Sequence, residues 1–225
     1  MSMHRKEPLA KGEIYHIYNR SIAKFKIFDH ENEYHRMVDT LTYYLPSRVP
    51  VSFSRHSELK GSGLLENSRQ TKTLHPPPSA LVTLIAFCLM PTHFHILLRQ
   101  DMDDGISIYI ARVLNSYTKF FNRLHHRKGP LWEGRFENRH VTNDEYFLHL
   151  SRYIHLNPVT ARLVDKAEDW PASSYREYIS ASPEPPQCTF RPFINLSPEM
   201  YKAFTEDRRD YQRQLATIKH LLIDE

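Results

Sequence analysis

"ALVTLIAFCLMPTHFHILLRQ", residues 80–100, reads as a strand hairpin. Its first half, "ALVTLIAFCLM", is an apolar run with the length of a buried strand, and "THFHILLRQ" is its neighbour after a turn at Met90-Pro91. Residues two apart on a strand point to one face, so His93 and His95 project side by side while Phe94 and Ile96 face the other way. Two neutral imidazoles so placed can bind one divalent metal, and a pair of hydrogen-bonded structural histidines is the competing reading.

The elements on either side set the topology. "GEIYHIYNRS" alternates Ile14, His16 and Tyr18 against Tyr15, Ile17 and Asn19 and reads as a strand. "DHENEYHRMVDTLTYYL" has Asp29 as N-cap, acids in its first turn, and apolar residues at helical spacing. Downstream, "GISIYIARVLNSYTKFFNRLHHRKG" carries a broad apolar stripe and stops at Gly129. "LWEGRFENRHV" follows as a strand. "TNDEYFLHLSRYIHLNP" is then a helix opened by Thr142 or Asn143 and closed by Pro158. The order β, α, β, β, α, β, α predicts an α+β fold of the ferredoxin-like, split βαβ kind: an antiparallel sheet with helices on one face.

Two segments fall outside that plan. Residues 46–79 are rich in Ser, Pro, Gly and charge, which predicts an inserted flexible loop, either with local structure or as a flap. After the Pro-rich joint "SASPEPPQCTFRP", Ser197 and Pro198 open a C-terminal amphipathic helix lined by Tyr201, Phe204, Tyr211, Leu215, Ile218 and Leu222. We therefore expect a main domain over 1–180 and a joint plus C-terminal helix over 181–225.

The two cysteines, Cys88 and Cys188, are too few for a disulfide framework or a Cys-based zinc site and are expected as reduced thiols. The N-terminus lacks an apolar export segment, and nowhere do 18 apolar residues run together, so a cytoplasmic protein without membrane partners is expected. The net charge is only +4, but residues 105–140 hold seven Lys or Arg against two acids. Tyr109, Tyr117, Phe120, Phe121, Trp132 and Phe136 are interleaved with these cations. Such a mixture suits single-stranded nucleic acid, where bases stack and phosphates pair; a solvated basic face with aromatics turned into the core is the alternative.

On the helix "YFLHLSRYIHLNP", Tyr153 and Asn157 stand four apart and share a face. A phenol can attack phosphorus and an amide oxygen can ligate a hard metal. Equally, Tyr146, Leu150 and Tyr153 could fill core while Asn157 caps the helix end.

"CLMPTHFHILL", "GPLWEGRFENRHV", "YFLHLSRYIHLNPVTARLV" and "DWPASSY", in this order and spacing, together resemble the REP-associated tyrosine transposases, in the IS200-like superfamily of HUH single-strand nucleases. The resemblance covers residues 13–178 apart from the 46–79 loop. It implies that His93 and His95 coordinate Mg²⁺ or Mn²⁺, that Asn157 completes the metal site, and that Tyr153 is the nucleophile. Tyr117 is the rival nucleophile, but Phe121, four residues beyond it, cannot ligate a metal. The implied reaction cleaves and rejoins single-stranded or hairpin DNA of REP type through a 5′-phosphotyrosine, with no nucleotide cofactor. A monomer is implied, while related insertion-sequence transposases are dimers.

Arg135, Arg139 and Arg152 are candidates for bidentate phosphate contacts, or for surface ion pairs. Trp132 is a candidate for base stacking, or for the core. His149 and His155 are proton-shuttle candidates, with surface histidines preferred. The competing functions are a domesticated, non-catalytic nucleic-acid-binding protein and a metal phosphodiesterase with a water nucleophile.

Overall fold

Strand β1 (Ile14–Arg20) lies inside a four-stranded antiparallel sheet of order β2-β3-β1-β4. The computed structural model describes residues 7–62, 79–180 and 187–207. β2 (Val82–Met90) and β3 (His93–Gln100) form the expected hairpin, and β4 (Glu137–His140) closes the far edge. Helix α1 (Glu31–Tyr43) connects β1 to β2, and helix α3 (Gly105–Leu124) connects β3 to β4. Each crossover skips one strand, which is the split βαβ arrangement.

Register decides what each face carries. Tyr18 pairs with His95, His16 with Leu97 and Arg20 with His93, so these side chains share a face with Cys88 and Met90 of β2. The opposite face presents Tyr15, Ile17, Phe94, Ile96 and Leu98, all buried, and the crossover helices cover it. There Tyr109 of α3 donates from Oη to the Leu41 carbonyl of α1 at 2.9 Å. Gly105 opens α3 so close to β2 that a Cβ would stand 2.2 Å from the Leu81 carbonyl oxygen. Three helices follow β4: α4 (Asp144–Thr160), α5 (Tyr175–Ile179) and α6 (Pro198–Glu206). α4 packs on β2 and β3 from the histidine side, so the sheet is covered on both faces and not only by its crossover helices.

Several boundaries differ from expectation for local reasons. α1 starts after His30, one residue beyond the expected Asp29 cap, because the Glu33 carboxylate accepts from both Asp29 N and His30 N. α3 ends at Leu124, not Gly129, since His126 takes a left-handed conformation (φ 51°) and breaks the helix first. α4 is capped by Asn143, whose side chain accepts from Tyr146 N, and runs past Pro158 to Thr160. A proline removes one backbone donor, which a buried helix end tolerates when packing holds it. Only the last part of "LWEGRFENRHV" is strand. The 46–79 segment contains a helix, α2 (Phe53–Gly61), held against α1 by Arg36, which donates to Ser54 Oγ at 2.8 Å and lies over the Phe53 ring. Residues 63–78 of that segment, and the expected apolar positions Tyr211, Leu215, Ile218 and Leu222, lie outside the described residues. Both cysteines are buried free thiols, and no helix among the described residues is long and apolar enough to cross a membrane.

Candidate active site

Three imidazoles and two phenols meet on the face of the sheet that α4 covers. β1 supplies His16 and Tyr18, β3 supplies His93 and His95, and α4 brings Tyr153 down onto them. The Tyr153 ring stands 5.7 Å from His95 and 6.4 Å from His16, edge-on to both. His16 and His95 are stacked at 5.0 Å, with His16 Nε2 2.9 Å from His95 Nδ1. His93 sits 5.2 Å from His95 and nearly perpendicular to it, its Nδ1 hydrogen-bonded to Thr92 Oγ1 at 3.1 Å.

The hairpin turn that carries the pair is clamped from the β1 side. The Pro91 carbonyl accepts from Ile27 N and Phe28 N, and the Thr92 carbonyl accepts from Ser21 N. The turn that leads into His93 and His95 is therefore fixed at the end of the sheet by three backbone bonds.

Burial keeps these imidazoles neutral. His16 is lowered to about 4 by desolvation, and His95 well below the usual range by desolvation and then by His16 and His93. His93 is lowered by desolvation and by Arg20. Neutral imidazole is the form that ligates a metal. Tyr153, 41% exposed, is raised by burial, partly offset by the Asn157 side chain. A phenol so placed is a weak nucleophile without help.

Asn157 lies one turn beyond Tyr153, half-buried, and its Nδ2 donates to the Tyr153 carbonyl at 3.0 Å. Among the described residues no group of three or more His, Cys, Asp or Glu is placed to hold a metal ion. His93 and His95 stand side by side on β3, and Asn157, whose Oδ1 is an oxygen of the kind a hard cation takes, lies on α4.

Beside the pair opens a cleft of about 970 Å³, lined by His93, His95, Tyr18, Arg20, Lys24 and Arg135 with Glu133 and Glu137. Arg20 is engaged by Glu133 in a two-point ion pair. Arg135 is exposed at the cleft wall. Arg139 is also exposed, across from His16 on β4, with Glu7 at 3.7 Å.

Other sequence candidates are placed elsewhere. Arg152 is buried, donates to the Phe204 carbonyl, pairs with His149 Nδ1 and lies 4.1 Å over the Phe204 ring, so it ties α4 to α6 instead of facing phosphate. Trp132 donates to Thr118 Oγ1 and packs on Phe94, on the face away from the histidines, so its half-buried ring lies against the core. Tyr117 is fully buried there too, donating to the Ile27 carbonyl, with its phenol pushed far up by burial. Tyr109 and Phe121 join it, so much of the aromatic content of the basic segment is core. His155 is not a surface histidine: it is fully buried between Tyr201 Oη and Ser174 Oγ, each at 2.8 Å.

His16 and Tyr18 were not singled out from the sequence. Alternation in "GEIYHIYNR" does put both on one face of a strand, but that this face meets His95 depends on a pairing 79 residues away.

No protein-family model matches the chain, and no curated protein does. Among solved structures the chain is similar to that of a REP-associated tyrosine transposase bound to a REP hairpin. The match covers 84% of this chain and 92% of that one, at 17% identity and a TM-score of 0.51. At that identity the likeness is one of fold.

Proposed function

We propose that this chain is a single-strand DNA-cleaving and rejoining enzyme of the transposase type, with Tyr153 as nucleophile and hairpin-forming DNA as substrate. The observation that carries the reading is the position of Tyr153, half-exposed and edge-on to His95, above a paired-histidine face that opens into a cleft with cations on its wall. The similar solved structure, a tyrosine transposase holding a REP hairpin, supports DNA of that kind as the partner.

His93 and His95, with Asn157, are the residues that would hold Mg²⁺ or Mn²⁺. When bound, such an ion supplies Lewis-acid polarisation of a phosphoryl oxygen. The remaining work falls to the chain itself. Arg135 and Lys24 attract and orient the strand in the cleft, since phosphate neutralisation supplies much of nucleic-acid affinity. Arg139 extends the same cationic rim along β4.

Packing of the Tyr153 ring against two imidazoles restricts the direction from which Oη reaches phosphorus. Oη forms the new bond to phosphorus and gives up its proton. The bond from phosphorus to the 3′-oxygen breaks, and that oxygen leaves as a 3′-hydroxyl after gaining a proton. One ester replaces another, so the 5′-phosphotyrosine can be resolved by a second 3′-hydroxyl without nucleotide hydrolysis. Tyr153 packs against the histidines of its own chain, which supports a site formed in cis.

The test is a covalent-adduct assay with a hairpin-bearing single strand and Mn²⁺. Wild type gives a protein–DNA adduct, and Tyr153→Phe or EDTA abolishes it. An adduct persisting in Tyr153→Phe refutes the assignment of the nucleophile. Strand cleavage without an adduct points to a water nucleophile. Tight binding without cleavage of any repeat-bearing strand points to a DNA-binding protein.

A further inference from the structure

The two histidines of the pair are held alike at one nitrogen. His93 Nδ1 meets Thr92 Oγ1 at 3.1 Å, and His95 Nδ1 meets His16 Nε2 at 2.9 Å. In each ring it is Nε2 that the contact leaves available. His16 differs from Thr92 in being remote in sequence and locked in place: it is on β1, between β3 and β4, and only 6% exposed.

Between two neutral imidazoles only one hydrogen can occupy the shared contact, and its direction has a chemical consequence. If His16 donates, His95 accepts at Nδ1, carries its proton on Nε2, and has no lone pair for a cation. If His95 donates from Nδ1–H, its Nε2 keeps a lone pair for a cation. A partner on the second nitrogen fixes both ring angle and tautomer of a ligating histidine. A carboxylate in that role would add negative charge and draw His95 toward imidazolium. A buried imidazole accepts the hydrogen bond without adding charge.

We propose that His16 is the positioning residue of the pair: it accepts from His95 Nδ1–H, holding His95 in the one tautomer that can bind a divalent cation through Nε2. This rests on the metal-dependent reading above, but it makes a statement about the metal-free protein that can be checked independently. His16 need not touch DNA or metal to act.

Imidazole ¹⁵N NMR of the metal-free full chain reads the tautomer directly. The expected result is His95 protonated at Nδ1 and bare at Nε2. Titration with Zn²⁺ as a diamagnetic probe then shifts Nε2 of His93 and His95 and leaves His16 without a ligand-type shift. A His95 tautomer protonated at Nε2, or a ligand-type shift on His16, overturns the proposal.

Mn²⁺ binding, followed by the EPR signal of the free ion, supplies the second readout. His16→Leu weakens it about 10- to 100-fold, the usual cost of losing such a partner. His16→Gln, which places an amide oxygen near the lost Nε2, recovers part of that loss while thermal melting of the variants is compared. Unchanged Mn²⁺ affinity in a folded His16→Leu also overturns the proposal. Mn²⁺ binding that is insensitive to His93→Ala refutes the metal reading instead, and the tautomer measurement still decides the role of His16.

Discussion

The Tyr153 ring meets the His95 imidazole edge-on at 5.7 Å, whereas Tyr117, the other tyrosine considered for the same role, is buried on the opposite face of the sheet with its hydroxyl on the Ile27 carbonyl. The two phenols are thus separated by the sheet itself. Tyr117→Phe removes a buried donor and leaves a backbone carbonyl unsatisfied, which costs about 1–3 kcal/mol. Urea unfolding should register that loss, while adduct yield per folded molecule stays at the wild-type level. Loss of the adduct in a stably folded Tyr117→Phe would contradict the core role.

Arg135 and Arg152 are expected to separate cleanly. Arg135→Ala lowers affinity for single-stranded DNA and reduces the slope of log affinity against log salt by about 1 if it contacts one phosphate. Arg152→Ala leaves that slope unchanged and lowers stability, because its side chain holds Phe204 and His149. Fluorescence anisotropy across a salt series, paired with thermal melts, distinguishes them. A reduced slope in Arg152→Ala would mean that the guanidinium reaches DNA.

Burial of His155 between Tyr201 and Ser174 lowers its basicity from the usual 6.5 to about 3. The unfolded chain then binds a proton that the folded chain refuses across that interval. Stability therefore falls as pH drops from about 6.5 toward 3, by at most about 1.4 kcal/mol per pH unit from this group. His155→Gln, which cannot titrate, should show a shallower fall in urea midpoint between pH 6.5 and 4.5 than wild type. An identical pH slope in the two proteins would show that the buried imidazole does not contribute.

Gly105→Ala tests the close approach of α3 to β2. The added methyl would meet the Leu81 carbonyl oxygen at 2.2 Å, so the helix start must move. Overpacking of this kind costs about 1–3 kcal/mol, seen as a lowered melting temperature. Retention of the wild-type melting temperature would mean that the helix start shifts at no cost.

Local pattern carried most of the architecture. The apolar run of 80–90 and the alternation of 14–20 are strand signatures, and i,i+4 spacing put Tyr153 and Asn157 on one helical face. What local pattern cannot carry is the partner of each face. Arg152 and His155 are separated by three positions on α4, and both turn toward α6 and α5, whose docking involves Tyr201, Phe204 and Ser174 far along the chain. A polar residue on a predicted helix looks solvent-facing until those later elements are in place. Trp132 and Tyr117 were ambiguous for the opposite reason, since an aromatic beside cations suits a base or a core equally well. The contact of His16 is not legible in local pattern, because it lies in the register between β1 and β3.

That register has a bearing on when the chain becomes reactive. His16 and His95 touch across 79 residues, and neither α1 nor the β2-β3 hairpin alone brings them together. Contacts of such sequence separation form at a high entropic cost of loop closure and tend to be slow. A nascent or partly unfolded chain can hold the hairpin and even the Tyr153 helix, yet lacks the imidazole that the central strand delivers. Completion of the sheet thus acts as a checkpoint: a chain proposed to cut DNA assembles its reactive face only once it has finished folding.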